Sequence, residues 1–259
     1  MKWFFVGLIL YLLYSIYTRR YELFGKNKPY FMSKEETILF FKSDKDNYIR
    51  DMTDLDIKAL KSSSKQDYLL KSISDASDFT NREKRILTRA CGEADDFFNS
   101  FDKIPNVNFK KIADIKWVLS KTNGEWYEQN YPHTRLDMIF ISPNVINHYE
   151  VVRILVHEKM HVFERLYPNE MRVWREAEGY KPYKKFSEYP MRRSNPDLDG
   201  TVYLDKYGNE TLVQFTTTNP SSIDDKVTYP GGKTWKEEHP NETLAYMVDY
   251  AYAGEEYTF

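Results

Sequence analysis

A His-Glu-x-x-His segment inside an apolar run of helix length constrains this chain more than any other feature. The run is Val151-Val152-Arg153-Ile154-Leu155-Val156-His157-Glu158-Lys159-Met160-His161-Val162-Phe163-Glu164. On a helix, residues four apart lie about 6 Å apart along the axis and about 40° apart around it. The imidazoles of His157 and His161 therefore converge on one point outside the helix, as two nitrogen ligands of a tetrahedral zinc ion must. Glu158 stands about 100° round from His157. There its carboxylate can reach a water held at an open metal position. Ile154, Leu155 and Val156 before the pair, with Val162 and Phe163 after it, predict a largely buried helix. A buried polar group without a partner costs roughly a few kcal/mol, and a metal ion supplies a partner. The competing reading is two core histidines satisfied by hydrogen bonds, with Glu158 facing water.

The rest of the composition excludes several classes. The chain has 259 residues and a net charge of −2, with no single-sign block, so no nucleic-acid partner is expected. Charged residues at 29% and hydrophobic ones at 41% predict a folded body. With 21 tyrosines, many hydroxyls need a hydrogen-bond partner. The single cysteine, Cys91, excludes a disulfide scaffold and a cysteine-rich zinc module, and reads as a small core residue.

Residues 3–17 are uncharged and apolar, preceded by Lys2 and followed by Thr18-Arg19-Arg20. They predict an uncleaved single-pass membrane anchor over residues 1–20, with the membrane as a partner through 3–17. Arg19, Arg20, Lys26 and Lys28 after the span put the large domain on the cytoplasmic side by the positive-inside rule. Two N-x-[ST] sites, at Asn209 and Asn241, would carry glycans only on a lumenal domain.

Residues 21–32 read as a linker. Ser33-Lys34-Glu35-Glu36 and Thr80-Asn81-Arg82-Glu83 have the form of capping boxes. Ile86, Leu87, Ala90, Cys91, Ala94, Phe97, Phe98 and Phe101 recur at helical spacing after the second box. With a short helix over 53–61, this makes 21–102 a linker and an all-helical lobe, ahead of a second domain at 103–259. In that domain, strands are expected at 115–120 and 136–141 and the metal-site helix at about 147–166, stopped by Tyr167-Pro168. A loop-rich, basic segment over 167–200 and a hairpin over 201–215 follow. Residues 219–234 read as loop, and Pro240 opens the last helix. His133 lies near the cleft or caps a turn. His148 is a surface or capping residue.

A catalytic zinc keeps three protein ligands and one open position, so a third ligand must come from elsewhere. Glu242, at the start of the last helix, is the strongest candidate. Glu164, His239 and Asp205 are the rivals. Glu164 lies a turn too far along the helix, and Asp205 has a sufficient role at a hairpin turn.

His157, Glu158 and His161, followed by Asn241-Glu242-x-x-Ala245, resemble the two signature pieces of the gluzincin-type zinc metallopeptidases. Tyr131-Pro132-His133-Thr134-Arg135 through His161, with His239-Pro240-Asn241-Glu242, is also similar to uncharacterised predicted zincins of large DNA viruses. The resemblance spans roughly residues 115–250. It implies an α+β zincin-like catalytic domain with a two-lobed cleft, and hydrolysis of a peptide or protein substrate by zinc-activated water. The chain departs from the best-known members at Tyr246, where an Asp often orients the first histidine. The expectation is thus a membrane-anchored zinc endopeptidase in which His157, His161 and Glu242 bind one Zn2+ and Glu158 is the general base. His239, Tyr246 and Arg192 are candidates to stabilise the transition state, with Glu164 and His133 in supporting places. An edge strand within 134–141 would align an extended substrate. The alternative is a tethered zincin-fold protein without turnover.

Overall fold

The computed structural model describes residues 27–229 and 238–257. In chain order the helices are α1 (Lys34–Ser43), α2 (Tyr48–Asp51), α3 (Asp54–Ala59), α4 (Lys65–Asp75), α5 (Asn81–Ser100), α6 (Phe109–Ala113), α7 (Pro143–Ile146), α8 (Val151–Leu166), α9 (Pro168–Ala177) and α10 (Pro240–Ala253). The strands are β1 (Tyr30–Phe31), β2 (Ala76–Ser77), β3 (Val118–Thr122), β4 (His133–Arg135), β5 (Met138–Ile141), β6 (Lys181–Lys185), β7 (Thr201–Leu204), β8 (Glu210–Phe215) and β9 (Lys226–Tyr229). The class is α+β.

The first sheet runs β1-β3-β5-β4, with β2 also on β3. β1, β3 and β5 are parallel, while β2 and β4 run antiparallel to their neighbours. Strand side chains alternate between faces, and the two cores follow that alternation. Leu119, Ile139 and Ile141 enter one cluster with Leu87 and Phe98 of α5, Leu155 and Met160 of α8, and Trp117 just before β3. Met138 and Phe140 face the other way, into a second cluster with Phe40, Phe41, Tyr68, Tyr127 and Phe215. The first sheet is therefore covered on both faces. The second sheet is an antiparallel meander, β6-β7-β8-β9.

Both expected capping boxes form, Ser33 with Glu36 and Thr80 with Glu83, and a third joins Thr53 to Asp56. The segment read as linker and helical lobe contributes to the first sheet and to the second cluster. β1 and β2 pair with β3, and α1 and α4 share the second cluster with β5 and β8.

Two expectations need correction. The membrane anchor at 3–17, and with it the single-pass placement, lacks support: among the described residues no helix is long and apolar enough to cross a membrane. The 20-residue α5 carries charges on its outer face, and α8 has 16 residues; residues 3–17 themselves lie outside the described residues. α8 ends at Leu166 before Tyr167-Pro168, as expected, and Pro168 then takes the first helical position of α9, where its missing N–H removes nothing. Strands β6 and β9 lie in segments read as loop.

Candidate metal centre

α10 packs along α8, and this contact assembles the site. His157 and His161 project from α8 one turn apart. Glu242 reaches them from the first turn of α10, two residues after Pro240. The two Nε2 atoms lie 3.1 Å apart, and Glu242 Oε2 lies 3.5 Å from that of His157 and 3.7 Å from that of His161. Metal–ligand bonds of about 2.0–2.1 Å in a tetrahedron place ligand atoms about 3.3–3.4 Å apart. The three observed separations bracket that edge, and His157, His161 and Glu242 form a group that could hold a metal ion.

The other nitrogen of each ring is fixed by a carboxylate. His157 Nδ1 donates to Asp249 Oδ2 at 3.1 Å, and His161 Nδ1 donates to Glu164 Oε2 at 2.9 Å. With the proton held on Nδ1, each neutral ring presents the Nε2 lone pair to the shared point. Two lone pairs 3.1 Å apart repel unless a cation lies between them. Without a metal that cation is a proton. Burial opposes it, but the hydrogen bonds that the ring donates to Asp249 and Glu242 hold His157 well above its ordinary value. Burial likewise opposes charging of His161, and Glu164, Asp197 and Glu242 together bring it up to about 9. Burial is outweighed for Glu242 too, which His161 and His157 hold down at about 2. The donor set thus suits a cation.

Glu158 is 3% exposed, and its Oε2 has no hydrogen-bond partner. Burial first, and the charge of Asp197 second, push its carboxyl up to about 8. It lines a cleft of about 680 Å³ together with His157, Glu242 and Tyr246. The Tyr246 ring meets the His157 ring edge-on at 4.5 Å.

Asn195 clamps the far side of Glu242. Its Nδ2 donates to Glu242 Oε1 at 3.1 Å and to Glu238 Oε1 at 2.7 Å. The loop bearing Asn195 is held in turn by Asp56, which accepts from Ser194 N at 2.8 Å and Ser194 Oγ at 2.7 Å. The capping residue of α3 therefore reaches to within two residues of the metal group.

The remaining expected residues fall in different places. Glu164 supports His161, as above. His133 lines the cleft and is buried. His239 does not line the cleft. It is the N-cap of α10, accepting from Asn241 N through Nδ1 at 3.1 Å, while Nε2 donates to Thr201 O at 3.2 Å. Arg192 binds the carbonyls of Tyr189 and Asp51 and lies outside the cleft lining, whereas its neighbour Arg193 lies within it. The edge-strand expectation is corrected at Thr134. Its N–H and hydroxyl donate to Asp197 at 2.8 and 2.7 Å, and Arg165 donates to its carbonyl at 3.2 Å. Those groups are closed to a substrate backbone.

Asp249, Asn195, Arg193 and Asp197 were not foreseen. Asp249 had a signal: it stands seven residues after Glu242, about 20° away around the helix, on the stripe that faces α8.

Comparison with protein-family models, with curated proteins and with solved structures finds no match to this chain.

Proposed function

We propose that this chain is a zinc-dependent peptidase of gluzincin type, with His157, His161 and Glu242 as the ligands and Glu158 as the general base. The observation that carries the reading is the meeting of two Nε2 lone pairs and one carboxylate at tetrahedral spacing, beside a buried, unpaired carboxyl in an open cleft. Two imidazoles and one carboxylate, with both rings braced by further carboxylates, form a donor set that suits zinc and leaves a position open.

Zinc, when bound, would polarise a carbonyl oxygen and acidify a water at its open position. Glu158 takes a proton from the attacking water and passes it to the departing nitrogen. A buried carboxyl beside the reacting atoms can serve both directions of that transfer. A dipositive charge beside Glu158 lowers its affinity for a proton, so the loaded site starts from the carboxylate, the form a base needs. Asp249 and Glu164 hold the two rings in the tautomer that binds. Tyr246 lies in the cleft against His157 and is the expected donor to the developing oxyanion. Arg192 and His239, placed outside the cleft lining, are not.

The test compares the full chain with Glu158→Gln. Both proteins are loaded with zinc, and cleavage of a broad peptide mixture is read by mass spectrometry. Equal zinc content with cleavage by the parent alone is the expected result. Equal zinc content with no cleavage by either protein refutes turnover and favours a metal-bound protein that does not hydrolyse peptides.

A further inference from the structure

The cleft carries more acid than base, eight carboxylates against three Arg and Lys side chains among its described lining residues. It stays net negative with a dipositive ion in place, and such a field draws in cations. Most of these acids have a cation close by. Asp249 and Glu150 face Arg153 at 3.2 and 3.4 Å, Asp197 faces Arg165 at 3.6 Å, and Asp224 faces Lys226 at 3.7 Å. Arg193, the buried cation of this wall, faces Glu238 at 3.8 Å.

Glu128 is the exception beside Glu158. It is 3% exposed, and among the described residues no cation lies within ion-pair distance of it. Its carboxylate accepts from the hydroxyls of Tyr48 at 3.1 Å and Tyr68 at 2.5 Å, both on Oε1, and nothing donates to Oε2. A buried carboxylate with only neutral donors is an expensive arrangement unless a cation arrives. The backbone reinforces the point. Glu128, Gln129 and Asn130 are three consecutive non-glycine residues at positive φ, 46°, 49° and 74°. Such strain persists only where the surroundings hold it. Here Gln129 is pinned at both ends of its amide, to Ala59 O at 2.7 Å and Ser222 Oγ at 3.1 Å.

A second observation points the same way. His133, also on the cleft wall, is 3% exposed. Its Nδ1 donates to Tyr131 O at 3.0 Å, so Nε2 is a bare acceptor, and it has no partner. The ring is stacked on Phe140 at 5.2 Å and edged by Tyr127 at 4.9 Å, which prevents it from turning away. Tyr131, 53% exposed at the rim, adds an aromatic face.

We infer that the Glu128–His133 wall is a subsite for a cationic group of the substrate, either a lysine or arginine side chain or the free amino terminus of a peptide. This rests on the peptidase reading and adds a substrate class to it. The ligand supplies N–H donors to Glu128 Oε2 and His133 Nε2, and a direct ionic partner to a carboxylate whose own donors are two neutral hydroxyls.

The test uses the full chain carrying Glu158→Gln, so that peptides are not consumed, and reads binding of fluorescent peptides by anisotropy with and without added zinc. One peptide carries a single lysine among neutral residues, and its counterpart carries norleucine. Each is made with a free and an acetylated amino terminus. A cationic form is expected to bind about tenfold or more tighter than its neutral counterpart. The lysine pair and the terminus pair tell the two sources apart. Adding Glu128→Gln should erase the gap and leave zinc content unchanged. Glutamine keeps an acceptor for the two tyrosine hydroxyls, and the melting temperature checks the fold. Neutral peptides binding as well as cationic ones, or a gap that survives Glu128→Gln in a folded protein, would overturn the subsite. If that variant does not fold, the salt dependence of the Glu158→Gln protein decides: a gap that does not narrow from about 50 to about 500 mM salt overturns the subsite. Zinc content is measured on the same samples. A protein that takes up no zinc yet keeps the gap refutes the peptidase reading and leaves the cation subsite standing.

Discussion

Asp249 and Glu164 decide which nitrogen of each imidazole carries the proton, and so whether two lone pairs can meet at one point. Removing such a partner costs roughly 10–100-fold in metal affinity. Asp249→Ala is therefore expected to weaken zinc binding by about that factor, measured by competition with a chromophoric chelator. Unchanged affinity would mean that Arg153, not His157, is the partner that matters to Asp249. The same cluster sets a pH dependence. Glu158 is held at about 8 against an ordinary 4.5, and His161 at about 9 against 6.5. Both bind protons more tightly in the folded, metal-free chain than in the unfolded one. The stability they contribute is complete below their ordinary values and is lost as pH rises through the raised ones. Glu242, held down at about 2, has the opposite sign but acts only below its ordinary 4.5. The metal-free protein should thus melt at a lower temperature at pH 8 than at pH 6.5. Because zinc must displace those protons, the melting shift it causes should grow over the same interval. A shift that shrinks with pH would contradict the assignment of these groups.

At the scale of elements, α8 is pinned from behind by the residue between its two histidine turns. Lys159 is 1% exposed, donates to Asp95 of α5 at 2.5 Å and lies over the Trp117 ring. Burial pushes the Asp95 carboxyl up and the Lys159 ammonium down, each held in check by the other. Removing one partner of a buried pair strands the other, at about 3–5 kcal/mol. Asp95→Ala should lower unfolding free energy by that order in urea titrations, and a change within about 0.5 kcal/mol would show the pair to be idle. The elements that were legible in the sequence are those whose signals are local. The capping boxes at Ser33 and Thr80 and the apolar spacing of α5 and α8 needed no distant partner to be read. β6 was not legible because Lys181–Lys185 is largely exposed and lacks alternation, so its pairing with β7 is a tertiary choice. Glu242 could be read from Asn241-Glu242-x-x-Ala245, whereas Asn195 could not. It depends on Ser194 meeting Asp56, 138 residues away in the chain.

For the whole molecule, the metal group joins two helices far apart in sequence, α8 and α10, across the core they share. An ion bound there stabilises the folded state by mass action and is absent from the unfolded one. A chelator should lower the melting temperature of the parent and have little effect on a His161→Ala protein. An equal drop in both would place the metal elsewhere. The most direct measurement is zinc X-ray absorption spectroscopy on the stoichiometrically loaded chain, alongside Glu242→Ala. The account predicts one zinc per chain with two imidazole nitrogens and at least one oxygen at about 2.0–2.1 Å, and loss of tight binding in the variant. No bound zinc, or a full zinc complement with an unchanged ligand set after Glu242→Ala, would contradict it.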